Sequence, residues 1–144
     1  MFDVDGVLSD AAARQRFLDG SMGKRDWNAF FAASGDDPAI HEVHTLLSLL
    51  DRSLAVVLLT ARPDRVQSET LAWLERYDVR WDLLVMRPAR DPRSAADFKA
   101  DALAALRASS LEPELAFEDD RRNAEMFRAA GVPCVYIHSG YYDS

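Results

Sequence analysis

Two aspartates stand two residues apart near the start of the sequence, in Asp3-Val4-Asp5-Gly6. Later come Thr60-Ala61-Arg62, a lysine at position 99, and Glu118-Asp119-Asp120. Residues of these types can carry out phosphoryl transfer. A phosphate monoester is anionic, so a carboxylate nucleophile needs its own charge and the substrate's neutralised. A divalent cation held by oxygen ligands does this. Attack by Asp3 would give an aspartyl-phosphate and split one hard hydrolysis into two easier steps. Asp5 could protonate the leaving oxygen, then take a proton from the attacking water. Gly6 lets the backbone turn away with no side chain over the site. The Thr60 hydroxyl can donate to a phosphoryl oxygen, with Ala61 beside it and Arg62 in reach of substrate phosphate. Lys99 supplies a compact positive charge bridging nucleophile and phosphoryl group. Asp119, with Glu118, would complete a Mg²⁺ shell begun by Asp3 and Asp5. On its own an Asp-x-Asp pair reads as a solvated turn, so the weight falls on the ordered combination.

The elements that must position these groups alternate between strand and helix. Met1 to Val4 reads as the end of a first strand. Lys24 to Ser34 reads as a helix with Trp27, Phe30 and Phe31 on one face and Gly35 as its stop. Asp37-Pro38 reads as an N-cap and first helical position, before a helix carrying Ile40, Val43, Leu46, Leu47 and Leu50. Leu54 to Leu59 is wholly apolar, as for a parallel strand buried on both faces. A helix is predicted from about Pro63 to Tyr77, with Val66, Leu71, Trp73 and Leu74 inward. Strands are predicted over Asp82 to Met86, Glu114 to Phe117 and Val132 to Ile137. Helices are predicted over Ala95 to Arg107 and Asp120 to Ala130, the last stopped by Gly131. This alternation predicts an α/β fold, a mainly parallel Rossmann-like sheet with helices on both faces. Ligands in such sheets bind at the carboxyl ends of the strands. The motifs above all fall there, apart from Lys99 in the helix before the fourth strand.

The 144 residues fit one domain, spanning 1–144. Only Met1 and Phe2 precede Asp3, whereas a buried strand usually has about five residues. Either that strand is short, or the sequence begins at a late start or a cut and is part of something longer. No apolar run reaches membrane length, and Asp3 and Asp5 sit where the core of a signal peptide would begin. A soluble cytoplasmic protein is expected. One cysteine, Cys134, rules out an internal disulfide framework, and it is expected to be buried and inert. The net charge of −7 argues against a surface that binds duplex nucleic acid mainly by neutralising phosphates. Basic residues are 15 arginines against two lysines, Lys24 and Lys99, which makes each lysine informative.

Phe2-Asp3-Val4-Asp5-Gly6-Val7-Leu8 resembles the first motif of the haloacid-dehalogenase (HAD) superfamily. Leu58-Leu59-Thr60 resembles its second motif, Lys99 its third and Phe117-Glu118-Asp119 its fourth. The resemblance implies a Rossmann-like sheet, an aspartyl-phosphate mechanism and Mg²⁺. Position 7 is Val where the superfamily usually has Thr. A narrower resemblance is to the 3′-phosphatase domain of phage-type polynucleotide kinase-phosphatases. Thr60-Ala61-Arg62-Pro63, Met86-Arg87-Pro88, Leu115 to Asp119, Glu125 to Arg128 and Ser139-Gly140-Tyr141 carry it. It implies as substrate the 3′-phosphate end of a polynucleotide, and this chain as the phosphatase part of something longer, with a kinase or ligase partner domain, fused or separate. Free nucleotides or other small phosphomonoesters are the alternative. The spacing leaves no room for a large cap domain, so the site should be open to bulky substrates.

Ordinary structural roles are assigned elsewhere. Asp10, Asp19, Asp36 and Asp37 read as turn or capping residues, and Asp120 as an N-cap. Arg14, Arg87 and Arg90 read as surface residues. Arg62, Arg65, Arg87, Arg90 and Arg93 could together form a basic funnel. Two functions of another class remain. A phospho-accepting signalling domain uses similar groups but places adjacent acidic residues on its first strand. A catalytically silent binding module could share the fold.

Overall fold

The structure is a computed structural model that describes residues 1–143. Four strands, β1 (Val57–Pro63), β2 (Leu83–Arg87), β3 (Ala116–Glu118) and β4 (Cys134–Tyr136), form two parallel pairs, β1 with β2 and β3 with β4. Phe2 joins them through parallel bridges to Leu58 and Phe117. Its N–H donates to the Val57 carbonyl at 2.9 Å, and its own carbonyl accepts from Leu59 at 2.9 Å. The sheet therefore runs β2, β1, Met1–Phe2, β3, β4. Its middle member is only a few residues long, held on both sides. The Phe2 and Phe117 rings stack at 4.4 Å.

The chain has five α-helices: α1 (Trp27–Ala32), α2 (His41–Leu49), α3 (Gln67–Arg76), α4 (Ala95–Ala108) and α5 (Arg121–Ala129). Side chains alternate across a strand, and β1 shows the result. Leu58 joins a core with Val43, Leu47, Trp73 and Leu74, while Leu59 joins one with Phe98, Leu103 and Phe127. Helices α2 and α3 thus cover one face, and α4 and α5 the other. Ser94 caps α4 by accepting from the Asp97 N–H, and Asp120 caps α5 by accepting from that of Arg122. Gly131 takes φ +84° after α5, as a helix stop requires.

Several expectations fail at element ends. The buried strand starts at Val57 instead of Leu54, and Thr60 lies within it; Leu54 is exposed. Pairing decides this, since register with β2 begins at Val57–Leu83. Helix α1 starts at Trp27, where the Asp26 side chain accepts from the Ala29 N–H, and runs into a 3₁₀ turn over Ala33–Asp36. Asp37 does not cap α2, which begins at His41 without a side-chain cap. Trp27 and Leu71 are exposed, Arg14 is buried, and Cys134 is only half-buried. No described helix is long and apolar enough to cross a membrane.

Candidate active site

Asp3 leaves the central segment at the carboxyl edge of the sheet. One carboxylate oxygen accepts from the Val4 N–H at 2.7 Å, and the other lies 3.1 Å from Lys99 Nζ. Lys99 is fully buried on α4, and Nζ also donates to Glu118 Oε2 at 2.6 Å. Glu118 Oε1 accepts from the N–H groups of Asp119 and Asp120 at 3.1 and 3.2 Å. Both Glu118 oxygens are therefore occupied in orienting Lys99 and the turn after β3. Burial opposes charge on Lys99, but Asp3 and Glu118 outweigh it and hold the ammonium protonated far up the scale. Burial also opposes charge on Glu118, and Lys99 overcomes it. Asp3 goes the other way: burial, reinforced by Glu118, pushes its carboxyl well up despite Lys99.

Asp119 differs from its neighbours. Both its carboxylate oxygens are buried, and neither has a hydrogen-bond partner among the described residues. An unsatisfied buried carboxylate is costly. The carboxylate lies against Gly6, where a Cβ would come within 2.0 Å of Asp119 Oδ2. Gly6 also has φ +79°. The glycine serves close approach as well as the turn. Asp3, Glu118 and Asp119 each offer an oxygen within 4.8 Å of the others. All are hard oxygen donors, as a small divalent cation requires. The Asp5 side chain is not part of that group of three. Asp120 is spent on capping α5 and on Arg122, at 2.8 Å.

Asp5 is instead clamped by two buried arginines. Its Oδ1 accepts from Arg14 Nη2 at 2.7 Å, and from Arg62 Nε at 3.0 Å and Nη2 at 2.7 Å. Asp37 balances the second positive charge, accepting from Arg14 Nε at 2.8 Å and Nη2 at 2.6 Å. Ser9 donates to Asp37 at 2.5 Å, and Arg62 Nη1 donates to Thr70 at 3.2 Å. Two arginines and two aspartates thus form a neutral buried network. Burial alone would raise Asp5, but Arg62 and Arg14 prevail and hold it below its ordinary value. Arg62 is fully buried and committed to protein partners, so it positions Asp5 and presents no open donor face to a phosphate. Thr60 Oγ1 accepts from the Arg62 N–H at 3.1 Å, which leaves its proton for another acceptor.

These groups lie on the floor of a cleft of about 1400 Å³, lined by Asp3, Asp5, Thr60, Ala61, Arg62 and Lys99. Residues 15–31 build one wall, and Arg87 to Ala96 another. The expected funnel is thinner than the sequence suggested. Arg87 Nη2 donates to the carbonyls of Asp91 and Arg93, and Arg93 pairs with Asp91 and Asp101. Arg65 remains on the wall, joined by Arg25, Arg121 and Arg122, the last paired with Asp120.

A family model described as the polynucleotide kinase PNKP phosphatase domain matches residues 1–142. The chain belongs to this family. It is a HAD-type phosphatase domain, and its sheet and uncapped site are those of a small Rossmann-like HAD fold. Among solved structures it is similar to a chain from "Structure of Pnkp1/Rnl/Hen1 complex", with TM-score 0.78 and 23% identity. That match covers 95% of this chain and 44% of the other. A chain from "Structure of the Pnkp1/Rnl/Hen1 RNA repair complex" gives TM-score 0.75 and 24% identity, covering 95% and 41%. This chain thus spans less than half the length of either. The search of curated proteins finds no match.

The sequence motifs of this PNKP-type phosphatase domain located the floor of the site but missed the clamp. Arg14 was one of 15 arginines, and Asp37 had a ready capping role before Pro38. Nothing in either local context marks a buried ion pair.

Proposed function

We propose that this domain hydrolyses the 3′-phosphate end of a polynucleotide, with Asp3 as nucleophile and Mg²⁺ as cofactor. The observation that carries the reading is Asp3 at the floor of an open cleft, beside buried Lys99 and the unsatisfied Asp119. An Asp3 oxygen attacks phosphorus as the bond to the ester oxygen breaks, giving an aspartyl-phosphate and an alcohol. Water then attacks phosphorus, the Asp3–phosphate bond breaks, and Asp5 takes the water proton. Arg14 and Arg62 hold Asp5 ionised before substrate arrives. The proton for the leaving oxygen therefore enters with the ester, whose second ionisation lies at about pH 6, and passes through Asp5. Lys99 balances negative charge on Asp3 and the phosphoryl oxygens, and Thr60 donates to one of those oxygens. Asp3 and Asp119 would hold Mg²⁺, with Glu118 fixing the turn beneath. When bound, the metal neutralises charge between the two anions and polarises the phosphoryl oxygen.

The 3′-end reading is supported by the family description, which names a polynucleotide kinase, and by the cleft. At about 1400 Å³ it exceeds the roughly 300–1,000 Å³ usual for a small-ligand pocket. The similar structures are an RNA repair complex in which matching chains are more than twice as long. A kinase or ligase domain, fused or separate, is the partner this suggests. The test compares kcat/KM on a 3′-phosphorylated oligonucleotide, the matching 3′-mononucleotide and a small sugar phosphate, with Mg²⁺. The oligonucleotide should be preferred, with a shallow salt dependence because most cations lining the cleft are already tied to protein carboxylates or carbonyls. Preference for the sugar phosphate would overturn the substrate and leave the phosphatase chemistry standing.

Thermal unfolding checks the metal. Burial, opposed by the nearby Ser139 hydroxyl and reinforced by Glu118, pushes the Asp119 carboxyl up to about 8 in the metal-free chain. An unfolded aspartate titrates at about 3.9. The folded chain thus holds a proton that the unfolded chain has released. The resulting stability is present below about pH 4 and is lost as pH rises towards about 8. Metal needs the carboxylate, so Mg²⁺ stabilises more over the same interval. The rise in Tm on adding Mg²⁺ should be larger at about pH 8 than at about pH 6. Asp119→Ala should lose it, and an equal rise in that variant would remove Asp119 from the metal site.

A further inference from the structure

We propose that Trp27 is a stacking platform for the nucleobase of the nucleotide whose phosphate reaches Asp3. This rests on the polynucleotide-end reading above. Trp27 is 50% exposed and lines the same cleft as Asp3 and Asp5. Its ring stacks on Phe31 at 5.9 Å and 26°, and meets the edge of Phe30 at 5.7 Å. A large indole backed by two aromatics and turned to the cleft costs solvation unless something covers it.

The platform is fastened to the catalytic floor. Phe30 is buried, its ring lies under the Arg14 guanidinium at 4.3 Å, and its carbonyl accepts from Arg14 Nη1 at 3.1 Å. Arg14 in turn holds Asp5 at 2.7 Å. The indole is therefore fixed relative to Asp5 through two side chains, as a specificity element must be.

The chemistry of the wall selects the occupant. Arg25 and Arg65 line it beside Trp27, and Arg65 donates to Asn28 at 3.0 Å. No ion pair ties Arg25 or Arg65 among the described residues, in a chain of net charge −7. An aromatic face flanked by guanidinium groups fits a planar base attached to a phosphodiester, and it tolerates any base because each has a π-face. An aliphatic or sugar ligand would gain little from it.

The experiment uses two 3′-phosphorylated oligonucleotides, one ending in an ordinary nucleotide and one in an abasic residue. The quantity read is the ratio of their kcat/KM values in wild type, Trp27→Ala, Trp27→Leu and Trp27→Phe. Wild type should favour the base-bearing end. Trp27→Ala and Trp27→Leu should cut the ratio by roughly 5- to 100-fold, the worth of one base–aromatic stack, chiefly through KM. Trp27→Phe should restore most of it. A ratio unmoved by Trp27→Ala, or an equal fall on both ends, would overturn the inference while leaving the polynucleotide reading intact. If wild type prefers the sugar phosphate, that reading fails and this one with it.

Discussion

Asp3→Asn should give a folded protein that releases no measurable phosphate, a loss of roughly 10³-fold or more. The amide oxygen keeps the geometry: it can still accept from the Val4 N–H, now 2.7 Å from Asp3 Oδ1. What disappears is the anionic nucleophile, so no aspartyl-phosphate forms. Folding should not suffer. Lys99 retains Glu118 at 2.6 Å, so its ammonium stays paired. Three carboxylates crowd the same few ångströms, and Glu118 and Asp119 both disfavour charge on Asp3. Removing one relieves that repulsion in the metal-free chain, and its Tm should be no lower than wild type. Phosphate release and thermal unfolding, measured on the same preparations, read both effects. A beryllium fluoride mimic of the phosphoryl group, added with Mg²⁺, should raise the Tm of wild type and not of the variant. Turnover above a few per cent in Asp3→Asn would defeat the nucleophile assignment.

The sequence made the floor of the site legible because a parallel sheet imposes where ligands go. Once Leu58-Leu59 was placed in a buried strand, Thr60 had to lie near the carboxyl edge beside Asp3 and Glu118. Lys99 stood out by rarity among arginines, and the structure buries it completely. The ends of elements were less legible, because apolar character does not say where pairing begins. Leu54 and Ala55 extend the hydrophobic run of β1, yet parallel register with β2 starts only at Val57.

The clamp on Asp5 was not legible at all. Arg14 and Asp37 are 23 residues apart, and Arg62 and Asp5 are 57 apart, so no local pattern couples them. Each also had an adequate ordinary role, Asp37 before a proline and Arg14 as one more surface arginine. Only the fold brings them together, and it changes the reading of two site residues. The Asp5 side chain stands apart from the cluster of Asp3, Glu118 and Asp119, and the Arg62 guanidinium is committed to Asp5, Ser9 and Thr70. Arg14 binds the wall at Phe30 to the floor at Asp5, so the 15–31 segment is fixed without a domain to hold it.

Lys99→Arg should lose nearly as much turnover as Lys99→Ala, roughly 10²–10³-fold, although it keeps the charge. The reason is space and direction. Lys99 Nζ sits fully buried between Asp3 Oδ2 at 3.1 Å and Glu118 Oε2 at 2.6 Å. A planar guanidinium is wider and directs its donors in a fixed fork. In this slot it can satisfy Glu118 only by displacing the Asp3 carboxylate from the line of attack. The two variants should separate in stability. Lys99→Ala leaves Asp3, Glu118 and Asp119 with no cation among them, and removing one partner of a buried pair costs about 3–5 kcal/mol. Lys99→Arg should cost less, because a positive charge remains. Adding Mg²⁺ should recover part of the Lys99→Ala loss, since it restores positive charge to the same carboxylates. Turnover and Tm with and without Mg²⁺ distinguish these effects. Near-normal turnover in Lys99→Arg would show that the position needs only a charge, and would remove the ammonium's placement from the mechanism.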